Sequence, residues 1–284
     1  MEKTSFLIAA PKSHSGKTLV TLGIIRELVR REFDVQPFKC GPDYIDPMHH
    51  TQVAGRDSYN LDIWMAPEEH VREVFHEQME DANVGVIEGV MGLFDGAGRD
   101  QGSPAAIARF LDLPVVLVVD ASSMAYSAAP LLYGFKNFDL RVKLAGVIFN
   151  KVGSASHYRF LEEAARDAGV QPLGYIPRDK RLAVGERHLG LHLPGEGGKT
   201  DVVEAAADLV RDHIDLDALL HAGKIDVFQN RVPHEQGPHS LTIALADDAA
   251  FNFTYRANVD RLEEMGRVVL FSPLNDPEVP EADL

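Results

Sequence analysis

The sequence is poor in cysteine, in positive charge and in long apolar runs. Its single cysteine, Cys40, can form neither an internal disulfide nor, by itself, a zinc site, so a reducing compartment fits best. Lys and Arg total 28 against 43 Asp and Glu, a formal net charge of −15. That balance argues against nonspecific nucleic-acid binding, which needs a basic footprint. No stretch approaches the roughly 20 apolar residues that span a bilayer. The opening MEKTSFLIAAPK holds only a short apolar run, Phe6 to Ala10, too short for a signal-peptide core. The expectation is a soluble, cytoplasmic protein with neither membrane nor nucleic acid as partner. What is present is ordinary globular composition, 45% hydrophobic and 25% charged over 284 residues. At about 150 residues per domain, that length makes one large domain or one and a part.

Short β-branched runs alternate with helical patterns. Segments 5–10, 35–39, 84–87, 114–120 and 144–150 are continuous apolar runs, as parallel strands covered on both faces should be. Between them, 17–31, 67–81, 103–111, 124–138 and 156–168 carry helical spacing. The alternation predicts an α/β fold, a parallel sheet with right-handed crossovers and helices on both faces. A further helix runs from Asp201 to about His221 and opens with Asp201 and Glu204 at capping-box spacing. Residues 1–222 would form this domain, and the aperiodic, Pro- and Gly-containing stretch 223–240 reads as a linker. A strand–helix–strand pattern restarts at 241–284. A unit that small cannot cover both faces of its strands, so it is expected either to pack on the first domain or to open a second.

After the first strand comes Pro11-Lys12-Ser13-His14-Ser15-Gly16-Lys17-Thr18 and then a helix. Strand, turn, Gly-Lys-Thr and helix is the P-loop context, in which backbone N–H groups and a helix N-terminus cradle phosphates. Lys12, Ser13, Ser15 and Gly16 would line the loop. Lys17 would reach the terminal phosphates of ATP, and the Thr18 hydroxyl would serve Mg²⁺. Two positions where glycine is usual hold Pro11 and His14 instead. Lys12 has the spacing of the extra lysine in partitioning-type dimeric ATPases, so a homodimeric nucleotide switch is one reading.

Acidic residues fall at the C-terminal ends of expected strands, where ligands bind in open α/β sheets. Gly41 and Pro42 turn the chain and aim Asp43 and Asp46 across the sheet edge. Glu88 leaves the third strand, and a Gly-rich loop then projects Asp95. Mg²⁺ with ATP needs such oxygen ligands beside the phosphates, and Thr18, Asp43 and Glu88 are the candidates. Asn150, leaving the fifth strand, could pair with the adenine edge, whereas Asp120 reads as structural.

Together VQPFKCGPDYIDPMHH, YNLDIWM, VIEGVMGLFDG, LPVVLVVDAS, GVIFNKV and LGYIPRDKRLAVGERHLGL resemble the ATP-dependent tetrapyrrole amidases of the cobyrinic acid a,c-diamide synthase family. The resemblance implies a dethiobiotin-synthetase-like P-loop domain joined to a class I glutamine amidotransferase domain. It implies amidation of the a and c acetates of a tetrapyrrole through an acyl phosphate, with ammonia from glutamine. Sirohaem-type or nickel-sirohydrochlorin macrocycles remain open alternatives, as does an inactive ATP-binding fragment. By the same resemblance Lys17, Asp43, Asp46, Glu88 and Asp95 would serve catalysis, while Asp43 and Ile45 would sense the substrate carboxylate. Lys39, Arg178, Arg187 and His188 would supply local positive charge for a polycarboxylate on an acidic protein. The segment from Leu241 onward resembles the start of a glutaminase domain but contains no nucleophilic cysteine. A truncated product, one half of an enzyme split from a separate glutaminase domain or subunit, and a synthetase using free ammonia are the open readings.

Overall fold

The computed structural model describes residues 3–182, 200–225 and 241–284. The chain forms two compact units, Met1–Phe228 and Gln229–Leu284. In the first, strand and helix alternate as β1 (Lys3–Ala9), α1 (Lys17–Arg30), β2 (Val35–Cys40), α2 (Ile45–Ala54), β3 (Tyr59–Leu61), α3 (Glu68–Met79), β4 (Val84–Glu88) and α4 (Pro104–Phe110). They continue as β5 (Val115–Asp120), α5 (Ala128–Phe138), β6 (Leu144–Val152), α6 (Ala155–Asp167), β7 (Pro172–Pro177), α7 (Thr200–His213), α8 (Leu216–Ala222) and β8 (Lys224–Ile225). The sheet order is β3-β2-β4-β1-β5-β6-β7, and every neighbouring pair on that path is parallel. Helices cover both faces. The interiors of β1, β2, β4 and β5 are buried, as strands covered on both faces must be, although β2 carries Gln36 and Lys39.

The five expected strands and their intervening helices are all present, with ends shifted by a few residues. Elements outside the expected set have weak periodic signals. Edge strands β3 and β7 are short or bounded by prolines, which an edge tolerates because it needs fewer donors. Helix α2 starts where a turn was expected, with Asp46 and Pro47 in its first turn. The expected 201–221 helix is two helices, α7 and α8, broken at Ile214, which bridges back to Gly174 of β7. The capping-box reading also fails. Helix α7 already begins at Thr200, and the Glu204 carboxylate turns instead to Arg26 (2.6 Å) and Arg30 of α1. Asp208 adds a second contact to Arg30 at 3.0 Å.

Close packing of α1 on α7 follows from small residues. A Cβ on Gly23 would lie 3.0 Å from the Ala206 carbonyl oxygen and from Val210. Beneath these helices, Phe6, Ile8, Val86, Val116, Val118 and Ile148 join Ile24, Leu28 and Leu219 in one buried core. The expected linker is corrected at its start, because Lys224–Ile225 forms β8, antiparallel to Lys3–Thr4 of β1. Ser5 N–H also donates to the Gly223 carbonyl at 2.7 Å. The N-terminal half of β1 has no β5 partner there, and β8 supplies one. Residues 226–240 of the expected linker lie outside the described residues.

The second unit contains β9 (Leu241–Ala246), α9 (Arg256–Met265) and β10 (Gly266–Phe271), with the two strands parallel. Its tail returns along β9, where Ala244 N–H donates to the Leu284 carbonyl at 2.8 Å. Ile243 is the only buried hydrophobic residue among its described residues, which agrees with the expectation that one βαβ unit builds little core.

Gly174 holds the β7–α7 junction with φ +126°, and a Cβ there would lie 2.1 Å from the His213 carbonyl oxygen. Gly174→Ala is expected to destabilise the main unit by about 3 kcal/mol in urea unfolding. A loss below about 0.5 kcal/mol would show that the junction yields freely.

Candidate active site

The turn after β1 reverses at two left-handed residues, His14 at φ 62° and Gly16 at φ 81°. Histidine is one of the few non-glycine residues that enter this region readily, so His14 can stand where glycine is usual. The Ser15 hydroxyl donates to the Lys12 carbonyl at 2.9 Å and closes the loop on itself. Gly16 precedes α1 without a side-chain cap, so the first N–H groups of that helix stay available to an anion. Lys12 and Ser13 are exposed at the tip.

Behind the loop, Asn150 is nearly buried. Its Nδ2 donates to the Ser15 carbonyl at 2.9 Å, and its Oδ1 accepts from Lys151 N–H at 2.8 Å. A Cβ on Gly16 would sit 2.1 Å from that Nδ2, so glycine is required for the approach. The carboxamide thus braces the loop through one N–H and one lone pair, leaving a second of each for the expected adenine contact. Asp120 is structural as expected, accepting from Ser122 N–H (2.9 Å) and Lys151 (2.8 Å).

The centre of the site is Glu88, the last residue of β4 and fully buried. Its Oε1 receives the Thr18 hydroxyl at 2.6 Å, Lys17 Nζ at 3.1 Å and Lys39 Nζ at 3.3 Å. Its Oε2 lies 2.7 Å from His50 Nε2. Parallel register explains part of this arrangement, since Ile8 of β1 and Lys39 of β2 both pair with Glu88. Lys39 Nζ also meets Asp46 Oδ2 at 2.5 Å, Asp43 Oδ2 at 3.4 Å and the Gly89 carbonyl at 3.4 Å. Asp43 Oδ1 accepts from the N–H groups of Ile45 (3.0 Å) and Asp46 (3.1 Å), capping α2. Asn60 of β3 pins the same turn from behind, donating to the carbonyls of Gly41 (2.9 Å) and Asp43 (2.8 Å).

Lys17, Thr18, Asp43, Asp46 and Glu88 are therefore brought together. Ile45 lies beside them with its N–H on Asp43. Asp95 is exposed at the neighbouring rim, where its Oδ2 accepts from Gly92 N–H at 3.0 Å. That loop leans on the phosphate loop, because Leu93 N–H donates to the Ala10 carbonyl at 2.8 Å.

One substrate expectation is corrected. Lys39 does not face outward, since it is enclosed by three carboxylates and a carbonyl. Arg178 is exposed and donates from Nε and Nη2 to the carbonyls of Lys151 (3.2 Å) and Ser122 (2.6 Å), joining the ends of β5 and β6. Beside it, Arg181 pairs with Asp179 at 2.6 Å, so much of the expected basic density is spent internally. Arg187 and His188 lie outside the described residues. His50 and Asn60 escaped the sequence reading, because neither type at those positions has a motif of its own.

Two ammonium groups thus face three carboxylates. Burial works against the charge on Glu88, but Lys39, Lys17 and the His50 hydrogen bond hold its carboxyl well below the usual range. Burial likewise opposes the charge on Lys39, yet Glu88, Asp46 and Asp43 raise its pKa above that of an ordinary lysine. Asp43 is lowered against its own burial by Lys39 and by the N–H groups of Asp46 and Ile45. Asp46 takes the deficit. Burial, with Glu88 and Asp43 nearby, pushes it up to about 6. Burial also pushes the Cys40 thiol up to about 12.

Among the described residues, no group of three or more His, Cys, Asp or Glu side chains forms a metal cage. Mg²⁺ on a nucleotide needs none. It keeps water and phosphate oxygens and takes only one or two hard oxygens from protein, and the adjacent Thr18 hydroxyl and Glu88 carboxylate fit that demand.

Strand, phosphate loop, uncapped helix and buried acid at the next strand's end together define a P-loop nucleotide-binding protein of the α/β class. Residues 6–191 match the family described as the CobQ/CobB/MinD/ParA nucleotide binding domain, and the chain belongs to that family. It is 41% identical over 290 residues to the cobyrinate a,c-diamide synthase of Picrophilus torridus, covering 100% of this chain and 66% of that protein. It is 44% identical to the enzyme of the same name from Listeria innocua, covering 98% and 63%. It is 45% identical to the hydrogenobyrinate a,c-diamide synthase of Brucella ovis, covering 98% and 65%. The chain thus spans just under two thirds of the length of these curated relatives.

Removing Lys39 leaves buried Glu88 and half-buried Asp43 and Asp46 without their common cation. Lys39→Met is expected to cost about 3–5 kcal/mol in urea unfolding near neutral pH. The carboxylates of that variant would titrate higher in the folded chain than in the unfolded one. Its deficit should therefore shrink toward about pH 5 and grow toward about pH 8. A small, pH-independent deficit would contradict the charge count. Native Cys40 should resist thiol reagents at about pH 8 and react only after denaturation. Rapid labelling of the folded chain would refute its burial.

Proposed function

We propose that this chain amidates carboxylates of a tetrapyrrole at the expense of ATP; the amidation is supported by the relatives' name, a,c-diamide synthase, and the use of ATP by the phosphate loop. The observation that carries the reading is the joining of a phosphate loop to a second acidic turn by one buried carboxylate, Glu88. A nucleotide switch of the partitioning type needs the loop and Lys12. It gives no task to the Asp43–Asp46 turn or to the Lys39 cage.

A carboxylate is a poor electrophile, because its charge repels nucleophiles and oxide does not leave. Transfer of the terminal phosphoryl group of ATP gives an acyl phosphate and ADP. Ammonia then attacks the acyl carbon, inorganic phosphate departs and an amide remains. Here the loop N–H groups and Lys17 would hold and neutralise the phosphates, with Thr18 and Glu88 supplying oxygens to Mg²⁺. Bound Mg²⁺ neutralises phosphate charge during transfer. Asp43, Ile45 and Asp46 would meet the substrate carboxylate from the second turn, and Asp95 would close the rim. Trp64, Met65 and Met91 are exposed on the loops that follow β3 and β4. They offer apolar surface suited to a flat macrocycle. The a and c acetates of a cobyrinic acid-type ring are the favoured targets, and sirohydrochlorin-type rings are the alternative. Nitrogen would come from glutamine through a glutaminase domain or subunit. A cytoplasmic setting suits ATP use and a free thiol.

The test supplies the chain with ATP, Mg²⁺, ammonium and a cobyrinic acid-type macrocycle, with mass spectrometry as readout. One and then two amidations are expected. Lys17→Ala should lower ATP turnover by at least about 100-fold with the fold retained. Absence of amidation with every macrocycle tried would overturn the amidase reading, and unchanged turnover in Lys17→Ala the phosphate-site assignment.

A further inference from the structure

His50 is a buried polar group at the site that the proposed chemistry leaves without a task. It lies on α2 with its side chain fully buried, Nε2 2.7 Å from Glu88 Oε2 and Nδ1 3.5 Å from the Ser58 hydroxyl. The two oxygens of Glu88 are thereby divided. Oε1 serves Thr18, Lys17 and Lys39, and Oε2 meets His50. The terminal torsion of a glutamate side chain is broad and roughly two-fold, so contacts to one oxygen do not fix the plane of the carboxylate. A hydrogen bond to the other oxygen does.

His50 also stands one helical turn after Asp46, on the same face of α2. The helix that presents Asp46 to Lys39 is thus tied directly to the strand end that presents Glu88 to the phosphate loop. A purely packing residue here would need no polar atom. A buried imidazole aimed at a buried carboxylate is costly unless the hydrogen bond is made.

We propose that His50 is a positioning residue that fixes the Glu88 carboxylate, so that Oε1 faces Thr18 and Lys17, and thereby sets the affinity of the site for the magnesium complex of a nucleoside diphosphate or triphosphate. The inference rests on the nucleotide-site reading and adds to it a residue that touches neither nucleotide nor metal. Partners that orient a ligating group are generally worth about 10- to 100-fold in metal affinity.

The experiment is calorimetric titration of the full chain with ADP, with and without Mg²⁺, for the unaltered protein, His50→Ala and His50→Gln. His50→Ala should weaken binding of Mg·ADP by about 10- to 100-fold while metal-free ADP affinity changes by less than about threefold. His50→Gln keeps an N–H donor and should recover most of the loss. Equal loss with and without Mg²⁺ would mark a merely structural role and overturn the proposal. So would His50→Ala binding Mg·ADP like the unaltered chain. No Mg·ADP binding by the unaltered chain would instead defeat the nucleotide-site reading itself. If His50→Ala does not fold, ¹⁵N spectra of the imidazoles in the unaltered chain decide, with His50 assigned from His50→Gln. Its ring signals should move on addition of Mg·ADP and not of ADP with a chelator, and unmoved signals would overturn the proposal.

Discussion

The neighbouring ends of β2 and β4 place an ammonium and a carboxylate, Lys39 and Glu88, side by side out of water. Neither is tolerable alone at that depth, and each is held in its charged form by the other and by the groups around it. From this pair the rest of the site is laid out. Lys17 and Thr18 approach Glu88 because β1 runs beside β4 in register. Asp43 and Asp46 approach Lys39 because the chain turns at Gly41, which takes φ +72°, and immediately enters α2. Parallel strands end at one rim, and the rim becomes a site because charges on adjacent strands must find one another there.

The phosphate loop departs from the usual pattern in sequence and keeps its geometry by other means. His14 takes the left-handed conformation, Ser15 ties the loop to Lys12, and Asn150 clamps it from β6. The clamp requires the missing side chain of Gly16. A glycine-poor loop can thus retain its curvature when one imidazole, one hydroxyl and one carboxamide replace the freedom that further glycines provide.

The main architecture was legible because continuous apolar runs separated by helical periods admit few arrangements. Glu88, Asp43 and Lys17 were legible for a related reason, since strand ends and the Gly-Lys-Thr turn have fixed positions in such a sheet. What stayed hidden depends on side-chain direction. Lys39 reads as an outward cation in sequence, yet its place as the next-to-last residue of a buried strand turns it inward. Arg178 reads as a free guanidinium, but the ends of β5 and β6 present carbonyls that it can reach. Glu204 has capping spacing and a better partner on another helix. Helix α2 carries His49 and His50 among its buried residues and shows hardly any amphipathic pattern, so neither the helix nor the role of His50 could be read from periodicity.

The composition of the cage is itself evidence about why it exists. Ion pairs in a protein interior recover their desolvation cost poorly, and apolar residues of similar volume commonly serve stability as well or better. The middles of β1, β2 and β4 show what this chain does when only stability is required: Phe6, Leu7, Phe38, Val86 and Ile87 are wholly buried and apolar. A few residues further along, the same strands end in Lys39 and Glu88 and gather Lys17, Asp43, Asp46 and His50 around them. Within the cluster Asp46 is the acid least held in its charged form, pushed up to about 6 by burial and by Glu88 and Asp43. Strand ends that served stability alone would continue in apolar residues, so this paired but polar rim is better explained by a chemical task than by packing.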